Sequence, residues 1–520
     1  MRRILVFVVC LSLLVFALAG TSYAWQGRMA GTGDPYGLLS DESDFLIHPA
    51  KLAKGEGIRF YGDYRFTYTD VMDWDYNLDW LNPAGVLQRY YQFNTSGQEY
   101  SHNVLVGAGF PLGSGRMGIF FTYDGMRGDY DGDEENWTGA RFDYYAYELR
   151  SDLDNFALRL LYGLPLNGFN LGGEVQFAYQ QDENETWIYE TDMSRGWLNY
   201  PWGQNFASQL NLLPFMLPYD SAYWEALLKG SLEGNIGPLD VEFTLRGGFI
   251  FCGDNAYEYK QHAPVGNLVG GFDLDGGVDG WQIGGDLWMR YSLADGLALP
   301  FLVRVDYQTK TRDGAGLWIF APPASFEYDT QERNVEIEAG GGVDKEFGKG
   351  ARIAAGIYYN YLQRQSSFWL WLYDSGPGWW EDNDYSDYPA HTEHQIVVRL
   401  AGELEISPVA TLRMGLVPFY GWVREDFEWT ISGTTPGGNK TDALSLNGYH
   451  WGIGGSFGAS IKLQHFTLEP SFNVGWQQYD LDGDGERTQI TGVVSDLFEI
   501  DKMRSEWYIG GGFSILFDVP

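Results

Sequence analysis

The sequence predicts an all-β fold: a transmembrane antiparallel up-and-down β-barrel of about 16 strands (roughly 14 to 18), with long extracellular loops and an N-terminal lumen plug. Three observations carry this. Apolar and polar residues alternate over unusually long stretches, short turns recur at a regular interval, and no uncharged apolar run after residue 24 is long enough for a spanning helix. A chain that crosses a bilayer without such a helix needs a closed barrel, because only closure pairs every backbone N–H and C=O.

The leader comes first. Arg2 and Arg3 precede an apolar run from Ile4 to about Ala19, and small residues follow up to Ala24. This is the pattern of a secretory signal over 1–24, with cleavage expected before Trp25 and a Gram-negative type cell as its setting. Cys10 lies in the apolar run after Val9, which does not suit lipid modification. Cys252 is then the one thiol of the mature chain, and an intramolecular disulfide is excluded. Residues 25–57 are expected to form the plug and 58–520 the barrel.

The strands follow in order. From 58 to 68, Ile58, Phe60, Gly62, Tyr64, Phe66 and Tyr68 oppose Arg59, Asp63, Arg65 and Thr67. From 239 to 251, Leu239, Val241, Phe243, Leu245, Phe249 and Phe251 oppose Asp240, Glu242, Thr244 and Arg246. The pattern returns at 335–344 and in further copies at 117–123, 169–179, 281–291, 299–307, 396–406, 449–463, 466–474 and 507–519. Period two with one greasy face is the signature of a half-exposed strand. At 222–236 the spacing of Glu225, Lys229 and Glu233 would also suit a helix.

Short turns join these strands in pairs, around Gly113-Ser114-Gly115, Leu166-Asn167-Gly168, Gly237-Pro238, Ala294-Asp295-Gly296, Gly348-Lys349-Gly350, Ser407-Pro408 and Lys462-Leu463-Gln464. Between the pairs run segments rich in Asp, Asn, Gly, Trp and Tyr, read as outer loops. Seven hairpins with a first and a last strand give sixteen. Segment 138–150 falls outside that count and is assigned to an outer loop or an upward extension of the strand at 155–164. A secreted β-propeller is the rival fold, but its blades need four short strands per repeat.

Composition narrows the function. The 520 residues carry 34 Lys plus Arg against 70 Asp plus Glu. Removing the leader's two Arg leaves 32 against 70, a net charge of −38, which excludes nucleic acid as a partner. The expected partners are outer-membrane lipid and a small-molecule solute. A homo-oligomer is the analogy offered by trimeric porins. The inward register collects both signs: Arg59, Arg65, Arg116, Arg159, Arg246, Arg290, Arg304, Arg352, Arg399 and Arg413, against Asp63, Glu174, Asp240, Glu242, Asp286, Asp306, Glu336, Glu338 and Glu403. Opposed ladders of this kind would line a water-filled pore and filter solutes. The alternative is an interior cross-linked by ion pairs and plugged.

The two ends point the same way. Tyr508-Ile509-Gly510-Gly511-Gly512-Phe513-Ser514-Ile515-Leu516-Phe517 resembles the last-strand signal of outer-membrane barrels, with Asp518-Val519-Pro520 beyond the usual terminal aromatic. Near the start, Ser40-Asp41-Glu42-Ser43-Asp44 precedes Ile47-His48-Pro49-Ala50-Lys51-Leu52-Ala53. This segment resembles the hatch of the FadL-like long-chain fatty-acid and aromatic-hydrocarbon transporters, with His48 in place of Asn and Lys51 in place of Gly. The resemblance implies that His48, Pro49 and Ala50 belong to the plug. It also implies fourteen strands and a hydrophobic substrate, against a count of sixteen and a charged inner face.

Other motifs are candidate sites. Asp480-Leu481-Asp482-Gly483-Asp484-Gly485-Glu486 is a D-x-D-x-D-G stretch, so Asp480, Asp482, Asp484 and Glu486 predict Ca²⁺ in an outer loop, with a solvated acidic loop as the alternative. Thr491 stands where the bidentate Glu belongs. Asp129–Glu135 is a looser copy. Trp187, Trp197 and Trp202, with Trp369, Trp371, Trp379 and Trp380, suggest a binding vestibule or interfacial girdles. His391 and His394 would point to opposite faces of a strand and make a poor metal pair. No catalytic constellation or required cofactor is identified, so the chain is not read as an enzyme. The expected role is an outer-membrane channel or facilitator for passive passage of small molecules. FadL-like uptake of hydrophobic compounds is one alternative, and a structural or partner-binding barrel that conducts no solute is the other.

Overall fold

The computed structural model describes residues 32, 38–39, 42–137, 142–190, 219–262, 268–318, 324–348, 350–374, 383–387, 390–432, 440–489 and 494–519. The leader and its cleavage point lie outside them. So do Trp197, Trp202, Trp379 and Trp380 of the expected vestibule.

The wall is built from β1 (Ile58–Leu81), β2 (Leu87–Leu112), β3 (Gly115–Trp137), β4 (Phe142–Leu166), β5 (Phe169–Glu190), β6 (Tyr219–Ile236), β7 (Leu239–His262), β8 (Leu268–Ala294), β9 (Leu297–Trp318), β10 (Ala324–Phe347), β11 (Ala351–Asp374), β12 (Asn383–Asp387), β13 (Ala390–Ser407), β14 (Ala410–Ser432), β15 (Lys440–Leu463), β16 (Phe466–Gln489) and β17 (Val494–Val519). Apart from β12 and β13, each strand pairs antiparallel with its chain neighbours. β1 also pairs with β17, from Ile58 opposite Val519 to Leu81 opposite Leu497, and this closes the sheet. β12 and β13 both bridge β11 and β14, one above the other. They form one row of the wall, so the seventeen segments make sixteen wall strands.

The seven short turns fall where the sequence places them, between β2 and β3, β4 and β5, β6 and β7, β8 and β9, β10 and β11, β13 and β14, and β15 and β16. Asn167 (φ 41°) and Gly168 (φ 92°) occupy the left-handed region in succession, as a two-residue type I′ hairpin requires. Residues 222–236 belong to β6, so the helical reading of that stretch is corrected. Of the segment 138–150, residues 142–150 form the upper part of β4, and 138–141 lie outside the described residues.

The strands are much longer than a membrane needs. A strand such as β1, with 24 residues, runs roughly 80 Å and rises about 55 Å at a 45° tilt, against an apolar band of about 25 Å. The upper half therefore stands above the hydrocarbon as a tower, and there the faces exchange character. On β16 the outward residues run Leu468, Pro470, Phe472, Val474 and Trp476, then Gln478, Asp480, Asp482, Asp484 and Glu486. Its inward residues run Glu469, Ser471, Asn473 and Gln477, then Tyr479 and Leu481. β14 repeats the change, with Met414, Leu416, Tyr420 and Trp422 outside giving way to Arg424, Asp426 and Glu428. Aromatic pairs mark the boundary: Tyr68 with Trp507 (5.6 Å between centroids), Tyr420 with Tyr449 (5.6 Å), Trp451 with Trp476 (4.5 Å) and Trp281 with Tyr307 (5.0 Å). Rings with an apolar body and a polar edge collect at that interface.

Much of what was expected in outer loops is thus strand. The correction includes the D-x-D-x-D-G stretch, which lies wholly within β16. In an extended strand alternate carboxylates stand side by side along one face, so the stretch does not form the loop that its motif predicts. Asp480 and Asp482 come together with Asp501 of β17 on the exposed outer wall, with carboxylate oxygens within 4.8 Å of one another. Asp129–Glu135 likewise lies within β3.

Candidate functional site

The lumen has two storeys. In the lower one, residues 42–57 run inside the barrel as two short 3-10 turns, Glu42–Leu46 and Pro49–Lys54. Pro49 suits the first helical position, where no N–H is needed. Phe45, Leu46 and Leu52 seat the segment on Tyr61, Leu105, Phe120, Leu161 and Leu516. Upstream of it, Leu38 and Leu39 pack on Trp288, Leu302, Ala354, Tyr358, Val397 and Ala401.

Polar contacts fix its register. The Ala50 N–H donates to Ser231 Oγ at 2.7 Å, and His48 Nδ1 lies 2.5 Å from Thr244 Oγ1. Lys51 is buried, 2.8 Å from Asp44 Oδ2 and 3.0 Å from Glu242 Oε2. The Leu46 carbonyl accepts from Arg159 Nη2 at 2.5 Å and from Lys229 Nζ at 3.2 Å. At Gly163 a Cβ would lie 2.6 Å from the Ala53 nitrogen, and at Gly172 it would run into the backbone of Ala50. The wall carries glycine where the plug backbone passes closest.

The charged inward residues interleave across neighbouring strands. Arg159 of β4 meets Glu174 of β5 at 2.7 Å, and Glu174 meets Lys229 of β6 at 3.4 Å. A longer chain links Arg246 to Asp286 (2.5 Å), Asp286 to Arg304 (2.6 Å), Arg304 to Glu338 (3.7 Å) and Glu338 to Arg399 (2.6 Å). Arg246 also donates to Asp306 at 2.6 Å. Asp344 takes Arg290 at 3.0 Å and Arg352 at 2.7 Å, and Asp240 faces Arg290 at 3.7 Å. Arg413 bridges Glu403 (3.0 Å) and Glu469 (2.9 Å). Arg65 pairs with Asp63 (3.0 Å), Arg59 with Asp518 (2.8 Å), and Arg116 donates to the Gly57 carbonyl at 2.8 Å. Glu336 is exposed and has no ion pair among the described residues. Basic and acidic groups alternate around the wall and do not stand as two opposed ladders.

Sequence reasoning missed Lys51, Asp44, Lys229, Asp344 and Glu469 as members of this lattice. Lys229 and Glu469 carry the period-two signal that picked out the others. Lys51 and Asp44 do not lie on strands and carry no such signal.

The upper storey has the opposite chemistry. Leu78, Val423, Leu446, Leu481, Phe498 and Ile500, from five adjacent strands, form a buried apolar patch on the inner wall, with Trp80, Phe427, Leu444 and Tyr479 against it. Arg487 lies over the Trp80 ring at 5.0 Å and is held by Asp442 at 2.6 Å. Beneath the patch is a titratable layer. His450 Nδ1 is 2.7 Å from Glu393, His391 Nδ1 is 3.2 Å from Glu425, and Lys502 is 2.9 Å from Glu425. Arg504 bridges Glu506 (2.7 Å) and Glu99 (3.2 Å). The His450 ring stacks on Tyr479 at 3.6 Å. His391 faces this layer, while His394 lies among the outer aromatics, 5.2 Å from Tyr361.

No protein-family model matches the chain, and no curated relative does. Among solved structures it is similar to the deltaS2S3 mutant of the TodX monoaromatic hydrocarbon channel, with 12% identity, a TM-score of 0.41, and 96% of this chain and 99% of that one covered. It is also similar to a Pseudomonas aeruginosa FadL homologue (12%, 0.39, 96% and 99%) and to the Ralstonia pickettii toluene transporter TbuX (11%, 0.37, 97% and 100%). The architecture itself is fixed by the strand pairing and faces of this chain. A closed sheet of sixteen wall strands, apolar outside over one storey and bounded by aromatic rings, is an outer-membrane β-barrel.

Proposed function

We propose that this barrel is a plugged outer-membrane facilitator for small apolar compounds, which it takes from outside into the upper lumen and releases inward when the plug shifts. The observation that carries this reading is the apolar patch of Leu78, Val423, Leu446, Leu481, Phe498 and Ile500 inside the tower, above a lower storey filled by residues 42–57. A pore for polar solutes keeps a wet lining along its whole length, because each desolvated polar group costs free energy without a partner. Here the lining turns greasy on five adjacent strands where the outside turns polar. Burying a chain of six methylenes against such a patch is favourable by about 5 kcal/mol at ~0.8 kcal/mol per CH₂, enough to concentrate a dilute apolar solute.

The test is uptake into vesicles whose outer leaflet is lipopolysaccharide, which itself resists apolar solutes. The protein is expected to speed entry of an alkylbenzene and leave entry of a small sugar unchanged. Faster sugar entry with unchanged alkylbenzene entry would overturn the reading.

A further inference from the structure

Resting on that uptake reading, we propose that the upper lumen selects hydrophobic ammonium compounds over hydrophobic carboxylates: the alkyl or aryl part lies on the apolar patch and the cationic head meets the carboxylates beneath it. Two separate observations point there.

The first is local. Glu425 stands two residues from Val423 on the same face of β14 and directly opposite Leu446 of β15, so a carboxylate adjoins the apolar surface. Glu393, Glu506 and Glu99 continue the acidic set around the lumen. Against these four stand the permanent charges of Lys502 and Arg504, while Arg487, which lies over the Trp80 and Phe498 rings of the patch, is matched by Asp442. His391 and His450 each lean on a glutamate already. These carboxylates already have partners, but they outnumber the bases beside them, so a ligand ammonium adds a missing counter-charge where a ligand carboxylate adds to the excess.

The second is global. The chain carries 70 acids against 34 bases, and the lower storey is nearly balanced by its ion pairs. The excess therefore lies high on the molecule, as Asp480, Asp482, Asp484 and Glu486 on the tower wall illustrate. A field of that sign concentrates cations at the mouth and raises their capture rate by 10- to 10³-fold at low salt, while opposing anions.

The experiment uses the full chain in lipid nanodiscs and three probes of equal length: octylammonium, octanol and octanoate. Partition into the disc is subtracted with empty discs. Octylammonium is expected to bind on the order of tenfold tighter than octanoate at 20 mM salt, with the gap shrinking severalfold at 300 mM. Glu393→Gln/Glu425→Gln should remove most of the preference and leave octanol binding unchanged. Glu506→Gln is the milder variant, and the salt series needs no variant at all. If octanol binds and octanoate equals or exceeds octylammonium, the charge selection is wrong and apolar uptake survives. If none of the three binds, both readings fall.

Discussion

Lys51 Nζ of the plug lies 3.0 Å from Glu242 Oε2 of the wall, with both side chains buried. The same ammonium is 2.8 Å from Asp44, and the Trp288 ring lies 5.9 Å away. One cation thus serves a carboxylate on its own segment and one on β7, so Glu242 has this counter-charge only while the plug is seated. A buried pair gives modest net stability, but removing one member leaves an unmatched charge costing about 3 to 5 kcal/mol.

It follows that Lys51→Met should unseat the plug. Planar-bilayer recordings are expected to show persistent current in the variant where the parent is silent. Gel mobility with and without heating should show that the barrel still folds. Adding Asp44→Asn and Glu242→Gln to Lys51→Met is expected to restore closure, since no charge is then left buried. A silent Lys51→Met channel with an intact barrel would show that apolar packing alone holds the plug.

Glycine geometry gives an independent handle on the same contact. A valine at 172 would drive its side chain into the Ala50 backbone, whereas at Gly230 on β6 a Cβ meets nothing within 4 Å. Gly172→Val should therefore open the lumen and Gly230→Val should not, although both add the same group to neighbouring strands. Equal currents in the two variants would mean that the plug adapts.

Acid should loosen the plug through His48. Burial, followed by the nearby Lys51 charge, pushes this imidazole down to about 3, against an ordinary value of 6.5. The seated plug holds the neutral ring. A released plug lets it protonate at its ordinary value. The seated state is thus fully favoured above about pH 6.5 and loses stability as pH falls from there toward about 3. Conductance is expected to rise over that window. His48→Gln, which cannot take up the proton, should flatten the rise; an unchanged profile would assign it to the carboxylates.

The sequence made the lower storey legible and hid the upper one, for a physical reason. Period two with a greasy face identifies a strand only where one side meets lipid. Phe472 and Val474 announce β16 in that way, and six of the seven tight turns are readable from Gly, Asn and Pro, the exception being Lys462-Leu463-Gln464. Above Trp476 the outward face is water-exposed, so Asp480, Asp482 and Asp484 have the composition of a loop while remaining strand. The single inward Leu481 is too sparse to signal otherwise. The inward charges were legible as a register, but their partners depend on strand stagger, which no spacing along one strand reveals. The plug was legible only at His48-Pro49-Ala50, and the residue that ties it down, Lys51, read as a mere departure from a motif.

The exchange of faces along one strand can itself be tested on β16. Phe472 and Asp482 both point outward, ten residues apart, on either side of Trp476. If the hydrocarbon ends at the aromatic ring row, Phe472→Arg places a guanidinium near the midplane and should cost about 2 to 4 kcal/mol in refolding from urea into lipid vesicles. Asp482→Arg should cost close to nothing, because that position faces water, and relief of repulsion with Asp480 and Asp501 offsets part of any loss. Phe472→Leu controls for lost ring packing, as its cost should stay well below that of arginine. Equal penalties at 472 and 482 would mean that lipid covers the tower wall. The inner patch at Leu481 would then no longer mark a lumen that turns apolar just as the outside turns wet.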